Sequence, residues 1–468
     1  MPPKFGTSGL RGLVTELTPE LIRDHLHAFL RACPTGGAVH VGRDLRPSSP
    51  AIAAEVMAAI GEAGTLAIDA GAVPTPALAL SAMRAGHAAV MVTGSHIPAD
   101  RNGLKFYLPT GEISKADEAA ILAALGAAHS AQSAPAVQPD PDTAARYIDR
   151  YVTAFGPASL AGLRIGVWQH STVGRDLTCT LLDALGAKPV ALGRSETFIP
   201  VDTEAVSSEM RATLAHWGQA EKLDAVISAD GDADRPLMVD GSGAILPGDV
   251  LGPLTAQYLG AQVIVTPVSS NSLVDRMDFA KVLRTRIGSP FVIAGMEGAL
   301  AEDPQAKIVG YEANGGFLLG FEADGPAGRL APLMTRDYLL PLLAPLAAAR
   351  ARGQSVAELA QALPSRFTAA DRLQGIAPEV AGVWLEQLAQ DRAERAAFLK
   401  ACGATGATET ALDQTDGLRM TRADGAIVHL RPSGNAPEFR VYAEASCPDA
   451  AAALLRTGLA EVAKALRT

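Results

Sequence analysis

The chain predicts an α/β protein of four domains, the first three alike and the fourth a smaller α+β unit. Three observations lead there. A strand–helix–strand pattern recurs near residues 40, 165 and 265. The C-terminal stretch instead reads as short strands joined by tight turns. The length, 468 residues, calls for several domains rather than one, about three at the soft prior of roughly 150 residues each.

The first repeat starts with Ala38-Val39-His40-Val41, passes a polar turn at Pro47-Ser48-Ser49, and predicts a helix over 51–63 and a strand over 65–69. The second runs from an apolar strand at 163–168 through Ser171-Thr172 to a helix over 175–185 and a strand over 188–192. The third begins at 263–268 and predicts a helix near 273–283 and a strand at 284–287. Such alternation marks parallel α/β sheets. Beyond it, 417–422, 426–431 and 438–444 read as strands, one turn carrying Asp424-Gly425. Pro448 and Asp449 start a helix reaching 466. The expected domains are 1–141, 142–244, 245–363 and 364–468. The Pro- and Ala-rich stretch 130–141 is the first linker, and 336–363 forms helices closing the third domain.

Composition excludes several functions. Charged residues are 19% and hydrophobic residues 48%, which argues against extended disorder. Lys plus Arg total 40 against 50 Asp plus Glu. An acidic protein gains no general counterion release on nucleic acid, although a local basic pocket for a small anion is compatible. Cys33, Cys179, Cys402 and Cys447 are far apart, with no CxxC pair, and read as reduced packing residues. The first residues carry no apolar leader, and the longest apolar run, 338–349, holds Pro341 and Pro345 and is too short for a bilayer. The expectation is a soluble cytoplasmic protein with no nucleic-acid or membrane partner.

Four stretches carry chemistry. In the first, the apolar strand 88–92 runs into Thr93-Gly94-Ser95-His96. A serine past a strand end lies at the sheet rim, exposed, where α/β proteins bind ligands. It is either a nucleophile activated by a base or metal, or a turn serine capping amides. The next strand brings Lys105 to the same area. In the second, Asp230, Asp232 and Asp234 alternate at the end of an apolar strand. In extended chain their side chains share one side, and a divalent cation, Mg²⁺ above all, relieves the repulsion of three carboxylates. An EF-hand would need Gly at Arg235 and Glu at Gly241, and has neither. The third, Glu312-Ala313-Asn314-Gly315-Gly316, puts a carboxylate and an amide on a Gly-supported turn suited to sugar hydroxyls. The fourth, from Arg431 to Arg440, has arginines at both ends with Ser433 and Gly434 between, the chemistry of a phosphate cradle.

Together with Phe5-Gly6-Thr7-Ser8-Gly9-Leu10-Arg11-Gly12 and Gly42-Arg43-Asp44-Leu45-Arg46-Pro47-Ser48-Ser49, these stretches resemble, in order and spacing over the whole chain, the α-D-phosphohexomutase family. The resemblance is nearest to its bacterial phosphomannomutases. It implies four domains around a central cleft, the first three with mixed sheets. It implies that Ser95 is a phosphoserine, and that Asp230, Asp232 and Asp234 bind Mg²⁺ with a Ser95 phosphoryl oxygen. Glu312, Asn314 and Gly315 then read sugar hydroxyls. Arg431, Ser433, Gly434, Asn435 and Arg440 hold the phosphate not being transferred. Arg11, His96, Lys105 and Arg235 surround the transferred phosphoryl group. The chain departs from the family pattern where Asn314 and Gly316 replace Ser and His, and where Ser289 stands for a third-domain histidine. Lys105, His96 and Arg11 are left as acid–base candidates.

The implied reaction interconverts mannose 1-phosphate and mannose 6-phosphate through a bound hexose 1,6-bisphosphate, which also serves as activator. A phosphoglucomutase or dual-specificity enzyme is the alternative. A sugar-bisphosphate phosphatase and a non-catalytic sensor are the rivals. The expected partners are small hexose phosphates, and the expected state is a monomer or homodimer.

Overall fold

The computed structural model describes residues 3–6, 9–127, 135–403, 408–432 and 437–466. It divides into two compact units: residues 1–264 with 288–360, and residues 265–287 with 361–468. The division falls at the strand Val263–Pro267. Residues 130–134 of the expected linker lie outside the described residues.

In the larger unit, the first sheet is mixed. The strand Ala38–Arg43 pairs in parallel with Leu66–Ala72 on one side and Ala88–Val92 on the other. Ala88–Val92 also pairs antiparallel with Arg101–Leu108, with Met91 opposite Lys105. That register sets Lys105 beside the strand that runs out to Ser95. The helices Pro19–Ala32 and Ser49–Glu62 cover the sheet. The first starts on Thr18, whose hydroxyl accepts from the Leu21 amide, with Pro19 at the first helical position. Leu26, Phe29, Val39, Val41, Val56, Val90 and Phe106 form the core beneath, each worth about 1.5–3 kcal/mol for a larger side chain fully buried.

The second sheet orders Lys188–Leu192, Arg164–Trp168, Ala225–Ala229, Pro236–Asp240 and Ile245–Leu246. Its first three strands are parallel and the rest antiparallel. Ala225–Ala229 is buried throughout, which its unbroken apolar run requires, and leads directly into Asp230. In the same unit Ile308–Tyr311, Phe317–Leu319 and Leu333–Asp337 pair antiparallel.

The first two repeats form as expected, with helices Ser49–Glu62 and Arg175–Ala184. The third does not. In place of a helix near 273–283 there is a short 3-10 turn, Ser272–Arg276, and the strand Lys281–Thr285 follows early. Arg284 explains this: it donates to the carbonyls of Pro267 and Ser270 and pairs with Asp275, so it ties the segment back on itself after one turn.

The smaller unit carries an antiparallel sheet ordered Phe367–Gln374, Glu438–Ala445, Ile427–Pro432, Leu418–Arg422, Glu409–Asp413. The helix Pro448–Leu466 packs on it. Arg366 and Glu444 form a buried pair at 2.5 Å, and Glu444 also accepts from the Ser272 amide and hydroxyl. The outer strands and the helices Pro378–Gln390 and Arg392–Ala401 had no counterpart in the sequence reading. Phe367–Gln374 is mostly exposed and lacks an apolar run, so its sequence carries little strand signal. All four cysteines are free. Among the described residues no helix is long and apolar enough to cross a membrane.

His40, His170 and His429 are buried, and burial lowers each to about 4. Each binds a proton less well folded than unfolded. Their stabilising contribution is therefore complete above the unfolded value, about 6.5, and is lost as pH falls toward about 4. The His170 ring lies tilted against Trp168, centroids 4.5 Å apart, and meets the Ala229 carbonyl at 2.8 Å, next to the Asp230 loop. The urea midpoint is expected to fall between pH 6.5 and 4, by the equivalent of about 3 kcal/mol per histidine. His170→Gln should flatten that slope by about one proton; an unchanged slope would contradict the assignment.

Candidate active site

Ser95 sits on a loop built from below. Asp44, wholly buried, accepts from the Ser49 and Thr93 hydroxyls at 2.5 and 2.7 Å and from the Arg46 amide at 3.0 Å. The Thr93 hydroxyl in turn receives the Ser95 amide at 2.7 Å. Arg46, 1% exposed, pairs with Asp44 and donates to the carbonyls of Ser95, Ile97, Pro98 and Arg101 at 2.6–3.0 Å. Its guanidinium also lies 4.2 Å from the Phe198 ring centre. A side chain on Gly94 would collide with it, since a Cβ there would stand 2.6 Å from its central carbon. Held this way, Ser95 adopts φ 53°, a strained value for a residue with a side chain.

The carboxylates converge, but not by strand alternation as expected. Residues 230–234 form a tight turn closed by the Ala233 amide on the Asp230 carbonyl, with Ala233 at φ 54°. Asp230 Oδ1 accepts the Asp234 and Arg235 amides. All three aspartates are fully buried, and one carboxylate oxygen from each lies within 4.8 Å of the others. Ser95 Oγ donates to Asp230 Oδ2 at 2.5 Å. Ser95 is thus buried, 1% exposed, rather than at an exposed rim. The two loops approach so closely that a Cβ on Gly231 would stand 2.6 Å from the Ser95 carbonyl oxygen.

Lys105 Nζ lies 2.5 Å from both Asp232 and Asp234, and the Thr75 hydroxyl donates to Asp232 at 2.6 Å. Arg336 pairs with Asp234 at 2.9 Å, and Arg235 lies 3.8 Å from it. His96 Nδ1 is 3.3 Å from Ser95 Oγ. Arg11 belongs to the same charge cluster, coupled electrostatically to Asp232, Asp234, Arg235 and Arg336.

The charges are unevenly matched. Burial, then Asp232 and Asp234, raise Asp230. For Asp234 burial acts the same way, but Arg336, Lys105 and Arg235 outweigh it and hold its acidity strong. Burial and the neighbouring Arg235 and Arg336 lower Arg11 to about 10. Burial, with Arg235 and Arg11, pushes His96 far below the usual histidine range, so it is neutral and a weak base.

The residues suit a divalent cation. Asp232 Oδ1 and Asp234 Oδ1 are buried acceptors without a hydrogen-bond donor, and an all-oxygen carboxylate set matches Mg²⁺.

In the same unit, the turn after Tyr311 carries Glu312 and Asn314, both buried. The Gly315 amide bonds the Glu312 carbonyl, and Asn314 Oδ1 accepts the Gly316 amide. Gly315 has φ +85°, and the Gly248 backbone presses against it. Ser289 donates to Glu112 at 2.8 Å.

In the smaller unit, Arg431 and Arg440 face each other across adjacent strands, and Arg372 faces Arg440 on the next. Arg431 pairs with Asp416 at 2.9 Å. Ser433, Gly434 and Asn435 lie outside the described residues.

Sequence reasoning missed Thr75, Glu112 and Arg336 and gave Asp44 and Arg46 no role. The Asp44-x-Arg46 spacing was available as a signal, since their side chains pair two residues apart. Nothing local marks Arg336.

Comparison with known proteins shows the family. The chain matches the family description "Phosphoglucomutase/phosphomannomutase" in four successive parts: alpha/beta/alpha domain I over residues 2–132, domain II over 145–243, domain III over 247–367 and the C-terminal domain over 378–462. It is 45% identical to a phosphomannomutase of Sinorhizobium fredii, covering 98% of both chains. It is 42% identical to a phosphomannomutase of Salmonella muenchen, covering 98% of this chain and 95% of that one. A phosphoglucomutase/phosphomannomutase family protein of Burkholderia thailandensis shares the fold, with a TM-score of 0.76 at 21% identity over 98% and 97% of the two chains.

Arg46→Lys keeps a charge beside Asp44 but cannot span four carbonyls. Turnover should fall about a hundredfold, the effect of roughly 1 Å of misplacement, with far-UV circular dichroism unchanged. Parental turnover would remove Arg46 from the support of the Ser95 loop.

Proposed function

The chain belongs to the phosphoglucomutase/phosphomannomutase family and is a mutase of the isomerase class; from that premise we propose that it interconverts mannose 1-phosphate and mannose 6-phosphate through a phosphoserine at Ser95 and a bound hexose 1,6-bisphosphate. The carrying observation is Ser95 Oγ at 2.5 Å from Asp230, beside two further buried carboxylates. A serine so placed is preformed to bear a phosphoryl group next to a cation site. The relatives above, named phosphomannomutases, favour mannose over glucose. The four domains proposed are 1–141, 142–244, 245–363 and 364–468.

In this reading the phosphoryl group leaves Ser95 Oγ for the free hydroxyl of a hexose monophosphate. The resulting bisphosphate turns over, and its other phosphate returns to Ser95. Lys105, Arg11 and Arg235 offset charge on the phosphoryl oxygens. Asp230, Asp232 and Asp234 would hold Mg²⁺, which when bound supplies Lewis-acid polarisation of the phosphoryl group. Glu312, with Asn314 and Gly315, receives sugar hydroxyls. Arg431 and Arg440, with Ser433, Gly434 and Asn435, bind the phosphate not being transferred, as suits paired guanidinium groups. The same chemistry defines hexose phosphates as ligands and hexose 1,6-bisphosphate as the activator.

Intact mass should show a single phosphate adduct on at least part of the purified protein, mapping to Ser95. An adduct on an aspartate, labile to hydroxylamine, would overturn the reading. Ser95→Ala should abolish turnover of mannose 1-phosphate assayed with catalytic glucose 1,6-bisphosphate.

Asp232→Asn keeps the side-chain volume and removes one charge. Calorimetric titration should show markedly weaker Mg²⁺ binding, and kcat should drop by at least about a hundredfold with little change in thermal midpoint. Full activity of the parent in excess EDTA would contradict metal dependence.

A further inference from the structure

Arg336 lies on the strand Leu333–Asp337 and is 2% exposed. A buried cation normally sits in a bidentate pair with one carboxylate. Arg336 instead divides itself. Its Nη2 is 2.9 Å from Asp234 in the aspartate loop, its Nη1 is 3.5 Å from Glu312 in the sugar loop, and its Nε is 4.0 Å from Glu112. Nε and Nη2 are buried without a well-directed hydrogen-bond acceptor. Burial works against its charge, but Asp234, Glu112 and Glu312 more than offset that and keep it protonated.

The room for this side chain comes from the sugar loop itself. A Cβ on Gly316 would stand 2.8 Å from both Cγ and Cδ of Arg336. Gly316 is not in the left-handed region, so its lack of a side chain serves space rather than backbone conformation. The glycine and the arginine are complementary parts of one contact. Across it, an element of the phosphoryl-transfer end meets an element of the proposed sugar-reading end.

We propose that Arg336 is a positioning residue for sugar recognition: it orients the Glu312 carboxylate, ties it to Asp234, and is admitted by Gly316. The inference rests on Glu312 reading a sugar hydroxyl, as proposed above. A shared guanidinium fixes the distance between the two loops, so the sugar is presented in one register to the transfer site. Losing it leaves Glu312 buried but misdirected.

The test is a pair of double-mutant cycles on the full chain, read as kcat/KM for mannose 1-phosphate and as its calorimetric Kd. Arg336→Lys should lower kcat/KM about ten- to a hundredfold and weaken Kd in the parent. In a Glu312→Gln background the same change should cost less than about threefold. Gly316→Ala should lower kcat/KM in the parent, because Arg336 is displaced, and be nearly neutral in an Arg336→Ala background. This second cycle stands even where Arg336→Lys perturbs folding. A purely structural Arg336 would impose the same factor with and without Glu312, which would overturn the proposal while leaving the sugar-loop reading intact. A silent Glu312→Gln, with parental kcat/KM and Kd, would overturn both.

Discussion

Three carboxylates buried within 4.8 Å of one another set the terms for everything around them. Burying one unpaired carboxylate costs several kcal/mol even after relaxation, so a cluster of three persists only if cations are supplied. The chain supplies them from well-separated segments. Lys105 comes from the first sheet, Arg235 from the aspartate loop itself, and Arg336 from the strand Leu333–Asp337. Lys105 and Arg336 lie on strands, which is why the arrangement needs the mixed sheet that lays Lys105 opposite Met91.

The serine is held by a different logic. Its loop has almost no regular structure, and its carbonyls would be costly to bury unpaired. Arg46 takes up four of them and is itself neutralised by Asp44. A single buried arginine thus does for this loop what a ladder of backbone hydrogen bonds does for a strand. Glycines at 94 and 231 let Arg46 and the aspartate loop come to contact distance. The strained φ of Ser95 is the consequence of meeting both neighbours at once.

The parts of this design that sequence could show are those written locally. Apolar runs gave the strands ending at Ser95 and Asp230, and the spacing of Asp230, Asp232 and Asp234 gave their convergence. The route to convergence was misread, because a turn with Ala233 at φ 54° replaces an extended segment, and alanine carries no signal for that conformation. The third repeat was misread for a similar reason. Arg284 captures carbonyls fourteen and seventeen residues back, and a helical apolar pattern does not reveal such a tie. Arg336 was invisible because its partners, Asp234 and Glu312, are distant in sequence. The edge strand Phe367–Gln374 was invisible because its exposed faces need no apolar alternation.

The distribution of charge inside the site carries one more consequence. The cations gather around Asp234, whose acidity they strengthen, and around Asp232, which shares Lys105. Asp230 receives mainly backbone amides and the Ser95 hydroxyl, and its affinity for protons rises through burial and its two neighbours. Negative charge is therefore least compensated on the side facing the serine. A phosphoryl dianion on Ser95 would meet that side first, and Lys105, already shared between two carboxylates, would not balance the added charge alone. A small divalent cation held by Asp230, Asp232 and Asp234 would remove the conflict, because it is attracted by every group that repels the others. The proposed need for a metal rests on where the lysine and arginines are, as much as on the three aspartates themselves.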